Sequence, residues 1–327
     1  EEGIAFVYGK GKQKPELQKL YEELEECGKR LMGYKESFEI MGKERNSYSK
    51  TDLEATFMRM KEDHMLNGQL KAAYNVQIAV ENYFIIHSYV SNDRTDYNTL
   101  IPVLEKHRKA FGEELEEVTA DSGYCSEKNL LYLKEKGIAG YIKLQDHEKR
   151  KTRAYKEDIS KYYNMTTQVF EDEHYYICHD GRELRHIRTE TKEQEGYSQT
   201  FEVYGCADCS GCGHKARCLY KYKEEKDSGR NKVMKINEQW ESLKEAANAN
   251  IQSEKGILKR KIRSIQTEGH FGDIKENEDF RRFNYRGEEK VYKEFMLYAI
   301  GRNINKYHRF VHHEIEKYVG KSVQNPA

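Results

Sequence analysis

The central part of the chain alternates short β-rich runs with helical patterns, and this order constrains the fold more than any other feature. Residues 74–80 and 83–90 are rich in β-branched and aromatic side chains, and Glu81-Asn82 between them favours a tight hairpin turn. Apolar residues then recur at helical spacing over residues 97–111. The pattern predicts a β-hairpin followed by a helix.

A second strand–helix–strand unit is predicted downstream. Residues 117–120 form a short strand, Ser126 is a suitable N-cap for the next helix, and Gly137 ends that helix before a strand over residues 138–144. A β-rich stretch continues to about residue 236, and helical patterns dominate from there to residue 307. The element order predicts a mixed α/β fold with a central sheet flanked by helices.

The N-terminal part is predicted to be helical over residues 15–47. Leu17, Leu24 and Leu31 repeat at intervals of seven, with Leu20 and Cys27 between them, and so form a heptad-like seam. Two heptads are too few to predict a coiled coil. The chain starts with neither a signal peptide nor an initiator methionine, so we expect the natural N-terminus to be missing.

The composition is that of a soluble protein. Hydrophobic residues make up 37% and charged residues 34%, and no stretch approaches the ~20 apolar residues of a membrane span. Basic and acidic residues number 56 each, so the net charge does not indicate a polyanionic partner. Residues 255–263, however, hold five basic residues and no acid, which predicts either a basic binding surface or a solvated helix face.

Asp121 is the first candidate catalytic residue. It follows a predicted strand directly and precedes a glycine turn into a capped helix, a position where α/β sheets expose reactive groups. A carboxylate there can hold a divalent cation, although an aspartate before glycine is more often a turn or capping residue.

Glu268 is the candidate partner of Asp121. Lys275 lies seven residues later, and on an α-helix the two side chains would lie within about 20° of each other, with Gly272 on the same face. A carboxylate and a lysine on one helix face suit work on phosphodiesters. The alternative is an amphipathic helix whose surface charges have no catalytic role.

Four blocks of sequence resemble the DDE-domain transposases of bacterial insertion sequences. They are residues 68–81, residues 119–124 with Thr-Ala-Asp-Ser-Gly-Tyr, residues 267–275 with Thr-Glu-Gly-His-Phe-Gly-Asp-Ile-Lys, and residues 280–288. The resemblance implies an RNase H-like, metal-dependent enzyme that cleaves DNA and joins strands. It also implies that Asp52, Asp121 and Glu268 bind two Mg²⁺ or Mn²⁺ ions, for which carboxylates are suitable ligands.

Asp52 is assigned as the first catalytic aspartate because it lies upstream of the predicted hairpin, as in the family, with Glu54 as the fallback. Asp63, Asp93 and Asp96 are nearby alternatives, and the true residue could lie in a missing upstream segment. Many related transposases carry a Tyr and an Arg at fixed spacing before the Glu. Here Arg263 is five residues before Glu268 and Arg260 stands where that spacing would favour Tyr, so no role follows for Arg263.

The resemblance also implies double-stranded DNA as the partner and a homodimer on that DNA. Clustered cysteines without a secretory signal indicate a location in the reducing cytoplasm. The basic residues assigned to DNA contacts are Lys275, Arg281, Arg282 and Arg286. Two rival functions stay open: an inactive transposase remnant that only binds DNA, and an RNase H-like nuclease without strand transfer.

Four cysteines lie within thirteen residues, at Cys206, Cys209, Cys212 and Cys218. This spacing suits one tetrahedral Zn²⁺ site with a structural role, and His214 could replace one thiolate. Reduced thiols without metal and an iron–sulfur cluster are the alternatives, although the final spacer differs from that of bacterial ferredoxins. Cys27, Cys125 and Cys178 are scattered, and the simplest interpretation of each is an isolated thiol.

Together these patterns predict the domain organisation. Residues 1–48 would be a helical linker left from a truncated DNA-binding region, residues 49–310 the DDE catalytic domain, and residues 311–327 a tail. An insertion over about residues 145–236 would interrupt the catalytic domain and carry the cysteines.

Overall fold

The computed structural model describes residues 6–9, 11–43, 45–60, 67–112, 115–170, 173–194, 197–278, 280 and 282–312. The chain forms two compact units. The first unit comprises Glu1–Ala79, Phe84–Thr95 and Phe280–Ala327, and the second unit comprises Val80–Tyr83 and Asp96–Asp279.

The secondary structure confirms a mixed α/β protein. The α-helices within the described residues are α1 (Glu16–Met41), α2 (Leu100–Phe111), α3 (Glu127–Glu135), α4 (Arg153–Lys156), α5 (Lys215–Cys218), α6 (Glu224–Asp227), α7 (Glu238–Gln252), α8 (Glu254–Arg263), α9 (Gly269–Gly272) and α10 (Glu288–Val311). The strands are β1 (Thr56–Arg59), β2 (Leu70–Ala73), β3 (Asn75–Glu81), β4 (Phe84–Ser91), β5 (Glu117–Ala120), β6 (Ala139–Ile142), β7 (Thr166–Phe170), β8 (Glu173–Ile177), β9 (Glu183–Gln194), β10 (Tyr197–Cys206) and β11 (Val233–Ile236). None of the helices described is long and apolar enough to cross a membrane.

The predicted hairpin is present as β3 and β4, which pair with each other. The turn lies one residue later than predicted, because Asn82 and Tyr83 adopt positive φ values of 48° and 69°. In the first unit α10 packs on β4, where the Asn303 side chain donates to the Ile85 carbonyl and accepts from the Ile85 amide. The long C-terminal helix is thereby fixed to the strand at one backbone position.

The strand–helix–strand unit is confirmed in the second unit. Strands β5 and β6 pair in parallel, and the Ser126 side chain caps α3 by accepting from the Asn129 amide at 3.2 Å. Gly137 ends the helix segment with a φ of 68°. A hydrophobic core joins α2, α3, β6 and α7 through the buried side chains of Leu100, Leu104, Leu130, Leu133, Ile142, Leu243 and Ala247.

The β-rich stretch forms a five-stranded antiparallel sheet of the second unit, in the order β11-β10-β9-β8-β7. A second buried cluster lies against this sheet and contains Leu184, Tyr204, Cys206, Cys209, Met234 and Ile236. The sheet therefore brings two of the clustered cysteines into an apolar environment.

One central mixed sheet was expected, and the described strands do not form it. The strand pairs β1-β2, β3-β4 and β5-β6 are three separate two-stranded sheets, none of which pairs with the five-stranded sheet among the described residues. Local hydrophobic patterns specify that a segment is a strand, whereas the choice of its neighbour depends on contacts that are distant in sequence. The element order was predicted correctly and the sheet assembly was not.

The C-terminal helical region also differs from the expected regular helix. Ser253 ends α7 and caps α8, and Gly256 lies so close to α7 that an added Cβ would be 2.0 Å from the Asn250 carbonyl oxygen. Two π-helical turns, Ser264–Glu268 and Asp273–Asn277, flank α9. The helix predicted over residues 15–47 is shorter as well, since α1 ends at Met41 and Gly42 adopts a positive φ.

Candidate functional site

Asp121 lies in the second unit, directly after β5, and its side chain is exposed. The Oδ1 atom accepts a hydrogen bond from the Ser122 amide at 2.6 Å and a longer one from the Ser122 hydroxyl at 3.3 Å. Asp121 thus caps the short 3-10 turn Ser122–Tyr124. It has the local role of a turn cap and is accessible to an external ligand as well.

Asp96 lies against the same turn. A Cβ atom added to Gly123 would be 2.7 Å from the Asp96 Oδ2 atom, so the carboxylate approaches the backbone where glycine has no side chain. Asn129 holds the two segments together, because its side-chain amide donates to the carbonyls of Tyr97 and Tyr124 at 2.9 and 2.8 Å. Asp96 is therefore a carboxylate of the second unit beside the Asp121 turn.

The charges around this turn affect the pKa of Tyr124. Burial raises the pKa of its phenol, the negative charges of Asp96 and Asp121 raise it further, and the positive charge of Arg263 lowers it. The phenol therefore stays protonated at neutral pH. The charges of Asp96, Asp121 and Arg263 therefore all act on one tyrosine hydroxyl.

Arg263 connects this region to Glu268. Its guanidinium donates to Glu268 Oε1 at 2.6 Å, and the Ser264 hydroxyl donates to Glu268 Oε2 at 2.9 Å. Only 20% of the Arg263 side chain is exposed, compared with 58% of Glu268. We call Asp96, Asp121, Glu268 and Arg263 the acidic cluster of the second unit.

The acidic cluster is not arranged around a cation. No group of three or more His, Cys, Asp or Glu side chains in the described residues is placed to hold a metal ion. One reason is that the guanidinium of Arg263 pairs with the Glu268 carboxylate, where a cation would otherwise bind. The donors are hard oxygen atoms of the kind that Mg²⁺ and Mn²⁺ prefer, so their chemistry fits although their present spacing does not.

Asp52 lies in the first unit and is half-buried. The Tyr74 hydroxyl donates to both of its carboxylate oxygens at 3.0 Å, and the Gly287 amide donates to Oδ2 at 3.3 Å. The fallback residue, Glu54, accepts from the Glu288 amide at the start of α10. Both carboxylates therefore have a structural role at this helix start, and the assignment of Asp52 to the metal site stays a prediction.

The predicted pairing of Glu268 and Lys275 on one face of an α-helix needs correction. Each residue lies in a π-helical turn, and only the four residues of α9 between those turns are α-helical. A π-helical turn bonds residue i to i+5 and so shifts the angular position of every later side chain. The 20° separation assumed for a regular helix does not apply here.

The basic run of α8 is partly paired with carboxylates. Lys255 and Lys259 both pair with Glu117 at the start of β5, and these hydrogen bonds lower the pKa of the Glu117 carboxyl. Arg263 pairs with Glu268. Three of the five basic residues thus have an acidic partner, but the two carboxylates balance only two of the five positive charges, and the run keeps a net positive charge.

The residues assigned to DNA contacts have different environments. Arg282 is exposed, and Arg286 is exposed and donates to the Thr51 carbonyl at 3.2 Å. Lys275 is half-buried. Arg281 lies outside the described residues.

The clustered cysteines surround the end of β10. The Cys206 thiol donates to the Asp208 carbonyl at 3.2 Å, and the Cys209 sulfur accepts from the Lys232 amide at 3.4 Å. Cys212 and Cys218 follow in the next loop and at the end of α5, and all four are free thiols. The local fold therefore brings the sequence cluster together in space.

Cys178 belongs to this group, which the sequence analysis did not recognise. It packs against the buried cluster that contains Cys206 and Cys209. Burial raises the pKa of the Cys218 thiol, and its interactions with Cys178, Cys209 and Cys212 act in the same direction, opposed by Lys232. Antiparallel pairing of β8, β9 and β10 explains this proximity, because it returns the β8–β9 turn to the end of β10.

Two further observations connect the β8–β9 turn with the cysteine loop. The rings of His179 and His214 contact each other with centroids 4.8 Å apart, and Arg182 donates to the Asp208 carbonyl at 2.8 Å. Burial and a hydrogen bond with the Cys209 thiol raise the pKa of the Cys206 thiol to about 11. We call Cys178, Cys206, Cys209, Cys212 and Cys218 the thiol cluster.

Comparison with known proteins identifies one family. A family model described as a transposase DDE domain matches residues 177–308. No curated protein and no solved structure matches the chain. The matched segment contains the thiol cluster, Glu268 and most of α10, whereas Asp52, Asp96 and Asp121 precede it.

Proposed function

We propose that this chain, which belongs to the transposase DDE-domain family, catalyses metal-dependent cleavage and strand transfer at the ends of an insertion sequence. The observation that carries the proposal is the acidic cluster, in which Arg263 hydrogen-bonds to the Glu268 carboxylate and its charge also acts on Tyr124 in the Asp121 turn. Asp121 lies in the block of residues 119–124 that resembles the same family, outside the matched segment. Two independent parts of the sequence thus contribute carboxylates to one region of the second unit.

Asp121 and Glu268 are the proposed metal ligands, with Asp52 as the third. Asp96 is an alternative third ligand, because it lies against the Asp121 turn. When bound, Mg²⁺ or Mn²⁺ would activate a water or a DNA 3′-hydroxyl and stabilise the leaving oxygen. Cation binding would replace the present pairing of the Glu268 carboxylate with Arg263.

Arg263 and Tyr124 have distinct parts in this proposal. Arg263 orients Glu268, and once its carboxylate binds a cation, the guanidinium becomes available for a DNA phosphate, which it can bind through two N–H donors. Tyr124 stays protonated because burial and the neighbouring carboxylates raise its pKa. It can donate a hydrogen bond at neutral pH, and it does not act as a general base.

We further propose that residues 49–310 form the catalytic domain, with the insertion and termini assigned above. The RNase H-like fold that the family implies stays a prediction, since the described strands do not join in one central sheet. Lys275, Arg281, Arg282 and Arg286 would contact DNA phosphates, and the working form would be a homodimer in the cytoplasm. Arg282 supports this assignment best, since its side chain is exposed. Phosphate contacts of this kind make affinity fall steeply with salt.

The test is an assay of cleavage and strand transfer on duplex DNA that carries the ends of the encoding element. We expect nicks at those ends that require Mg²⁺ or Mn²⁺, are abolished by EDTA, and are followed by strand transfer. Specific binding with no cleavage in either metal would instead identify a DNA-binding remnant. Cleavage without strand transfer would identify a nuclease.

A structural zinc ion in the thiol cluster is a separate part of the proposal. Soft thiolates at this spacing favour Zn²⁺, and Cys178 adds a fifth candidate to the four ligands found by sequence. Cys206 and Cys218 have raised pKa values, so zinc binding must displace their protons. The thiols also have to move closer together, because they do not form a ready metal site among the described residues.

Elemental analysis of protein purified without chelator tests this part. We expect about one zinc per chain, reduced in Cys178→Ser and in Cys209→Ser and retained in Cys27→Ser, whose exposed thiol lies on α1. Iron with a visible absorbance would indicate a cluster instead. Protein that contains no metal would reject the zinc site and identify the thiol cluster as a group of reduced cysteines.

A further inference from the structure

Helix α1 carries an apolar seam along its whole length. Leu17, Leu24, Leu31 and Phe38 repeat every seven residues, and the positions three residues after each are also apolar: Leu20, Cys27, Tyr34 and Met41. Alternating steps of three and four residues define the contact face of a coiled coil. The seam therefore runs from Leu17 to Met41, well beyond the leucine repeat that ends at Leu31.

The seam is exposed. The exposed fractions are 55% for Leu17, 54% for Leu20, 64% for Leu24, 69% for Leu31, 60% for Tyr34 and 67% for Phe38, and Cys27 is exposed as well. All residues of α1 are described, and only Gln18 among them is buried. A helix of this length derives most of its stability from packing an apolar face, and the described residues of the first unit leave this face exposed.

We propose that α1 pairs with α1 of a second copy of this chain as an antiparallel two-stranded coiled coil. The heptad pattern is self-complementary, as a two-fold interface requires. The inference deepens the proposed homodimer by assigning its surface. It does not depend on the metal chemistry.

Side-chain size favours the antiparallel orientation. A parallel pair would place the rings of Tyr34 and Phe38 against their own copies and Cys27 against itself, so wide and narrow layers would follow each other along the seam. An antiparallel pair aligned on the seam places Phe38 against Leu20 and Tyr34 against Leu24, which gives layers of more equal width and sets the orientation.

The area of the seam predicts a modest affinity. A large apolar side chain removes roughly 100 Å² from water when fully buried, and the seam residues are somewhat more than half exposed. Closing the seam therefore buries on the order of 1,000 Å² over both helices once the flanking side chains are included, near the lower limit for a specific interface. We expect a dimer that dissociates on dilution.

Leu31 and Met32 provide a matched pair of variants. They are neighbours on α1 with nearly equal exposure, 69% and 68%, but Leu31 lies in the seam and Met32 lies beside it. Sedimentation of the full chain over a range of concentrations should show a dimer for wild type and for Met32→Glu. Leu31→Glu should dimerise about tenfold or more weakly, because each copy places a charge in the seam.

Cysteine cross-linking tests the orientation. In the antiparallel pair Cys27 faces Leu31 of the other copy, so Leu31→Cys should give a disulfide-linked dimer that the added replacement Cys27→Ser abolishes. In a parallel pair Cys27 would face itself, and oxidation of wild type alone would cross-link it. Circular dichroism confirms that each variant keeps its helices. A wild type that stays monomeric, or that dimerises equally well in Leu31→Glu, would overturn the proposal whether or not the chain cuts DNA.

Discussion

Asn129 is predicted to hold the acidic cluster together. Its side chain is fully buried, and its amide nitrogen donates to the carbonyls of Tyr97 and Tyr124. Tyr97 follows Asp96, and Tyr124 ends the turn that Asp121 caps. Asn129→Ala would therefore release both carboxylate-bearing segments at once.

The magnitude follows from the two lost hydrogen bonds. Each carbonyl left without its donor costs about 1–3 kcal/mol if water cannot reach it. The Asn129 Oδ1 atom is buried without a hydrogen-bond partner among the described residues, and its removal recovers part of that cost. We expect the free energy of unfolding to fall by about 2–4 kcal/mol.

Urea unfolding followed by circular dichroism measures this change, with Lys128→Ala as the control because Lys128 is the exposed neighbour on the same helix. The control should change the free energy of unfolding by less than about 0.5 kcal/mol. A loss below about 0.5 kcal/mol in Asn129→Ala would refute the reasoning. Normal metal-dependent cleavage by a destabilised Asn129→Ala would show that the two segments need not be held together.

Three further predictions concern single contacts. Gly256→Ala should lower the free energy of unfolding by about 1–3 kcal/mol, because the new Cβ would be 2.0 Å from the Asn250 carbonyl oxygen. An unchanged thermal unfolding midpoint would contradict this close approach. Glu117→Gln should release Lys255 and Lys259, and so strengthen non-specific DNA binding and make it more sensitive to salt. A fluorescence titration measures the affinity, and an affinity equal to that of wild type would show that the lysines already reach DNA. In metal-free protein the rate of alkylation of the Cys206 thiol should reach half its maximum near pH 11, since its raised pKa keeps it protonated below that pH. The rate is measured by mass spectrometry, and a midpoint near pH 9 would contradict the burial of this thiol with Cys209.

Sequence predicted the local features of the fold well. The Ser126 cap, the φ of Gly137 and the strand before Asp121 were all confirmed, because each depends on residues within a few positions of each other. The hairpin was displaced by only one residue for the same reason. Such signals position Asp121 at a strand end without any knowledge of the rest of the chain.

Features that depend on distant residues were not predicted. Glu117 neutralises lysines 138 and 142 residues later in the sequence, and Cys178 joins the thiol cluster through the pairing of three strands. Arg263 was left without a role by its spacing, and the structure places it between Tyr124 and Glu268. Side-chain spacing along the chain does not encode these contacts.

The π-helical turns around Glu268 illustrate a third kind of limit. A regular helix was assumed when Glu268 and Lys275 were placed on one face, and Ile274 in the same segment is buried. The spacing of apolar residues predicts which face of the helix is buried. It does not predict whether a backbone hydrogen bond joins residue i to i+4, as in an α-helix, or to i+5, as in a π-helical turn. The angular position of Glu268 therefore had to come from the structure.

The effect of Glu268→Gln on cleavage and on DNA binding, measured in parallel, tests the central claim most directly. This change removes a carboxylate charge from the acidic cluster with little change of shape, and Glu276→Gln is the control at an exposed position two turns later. The account predicts that Glu268→Gln binds the element ends with normal, salt-sensitive affinity and no longer cuts them in Mg²⁺ or Mn²⁺, while Glu276→Gln does both. Undiminished cleavage by Glu268→Gln would contradict the assignment of this carboxylate to the catalytic site.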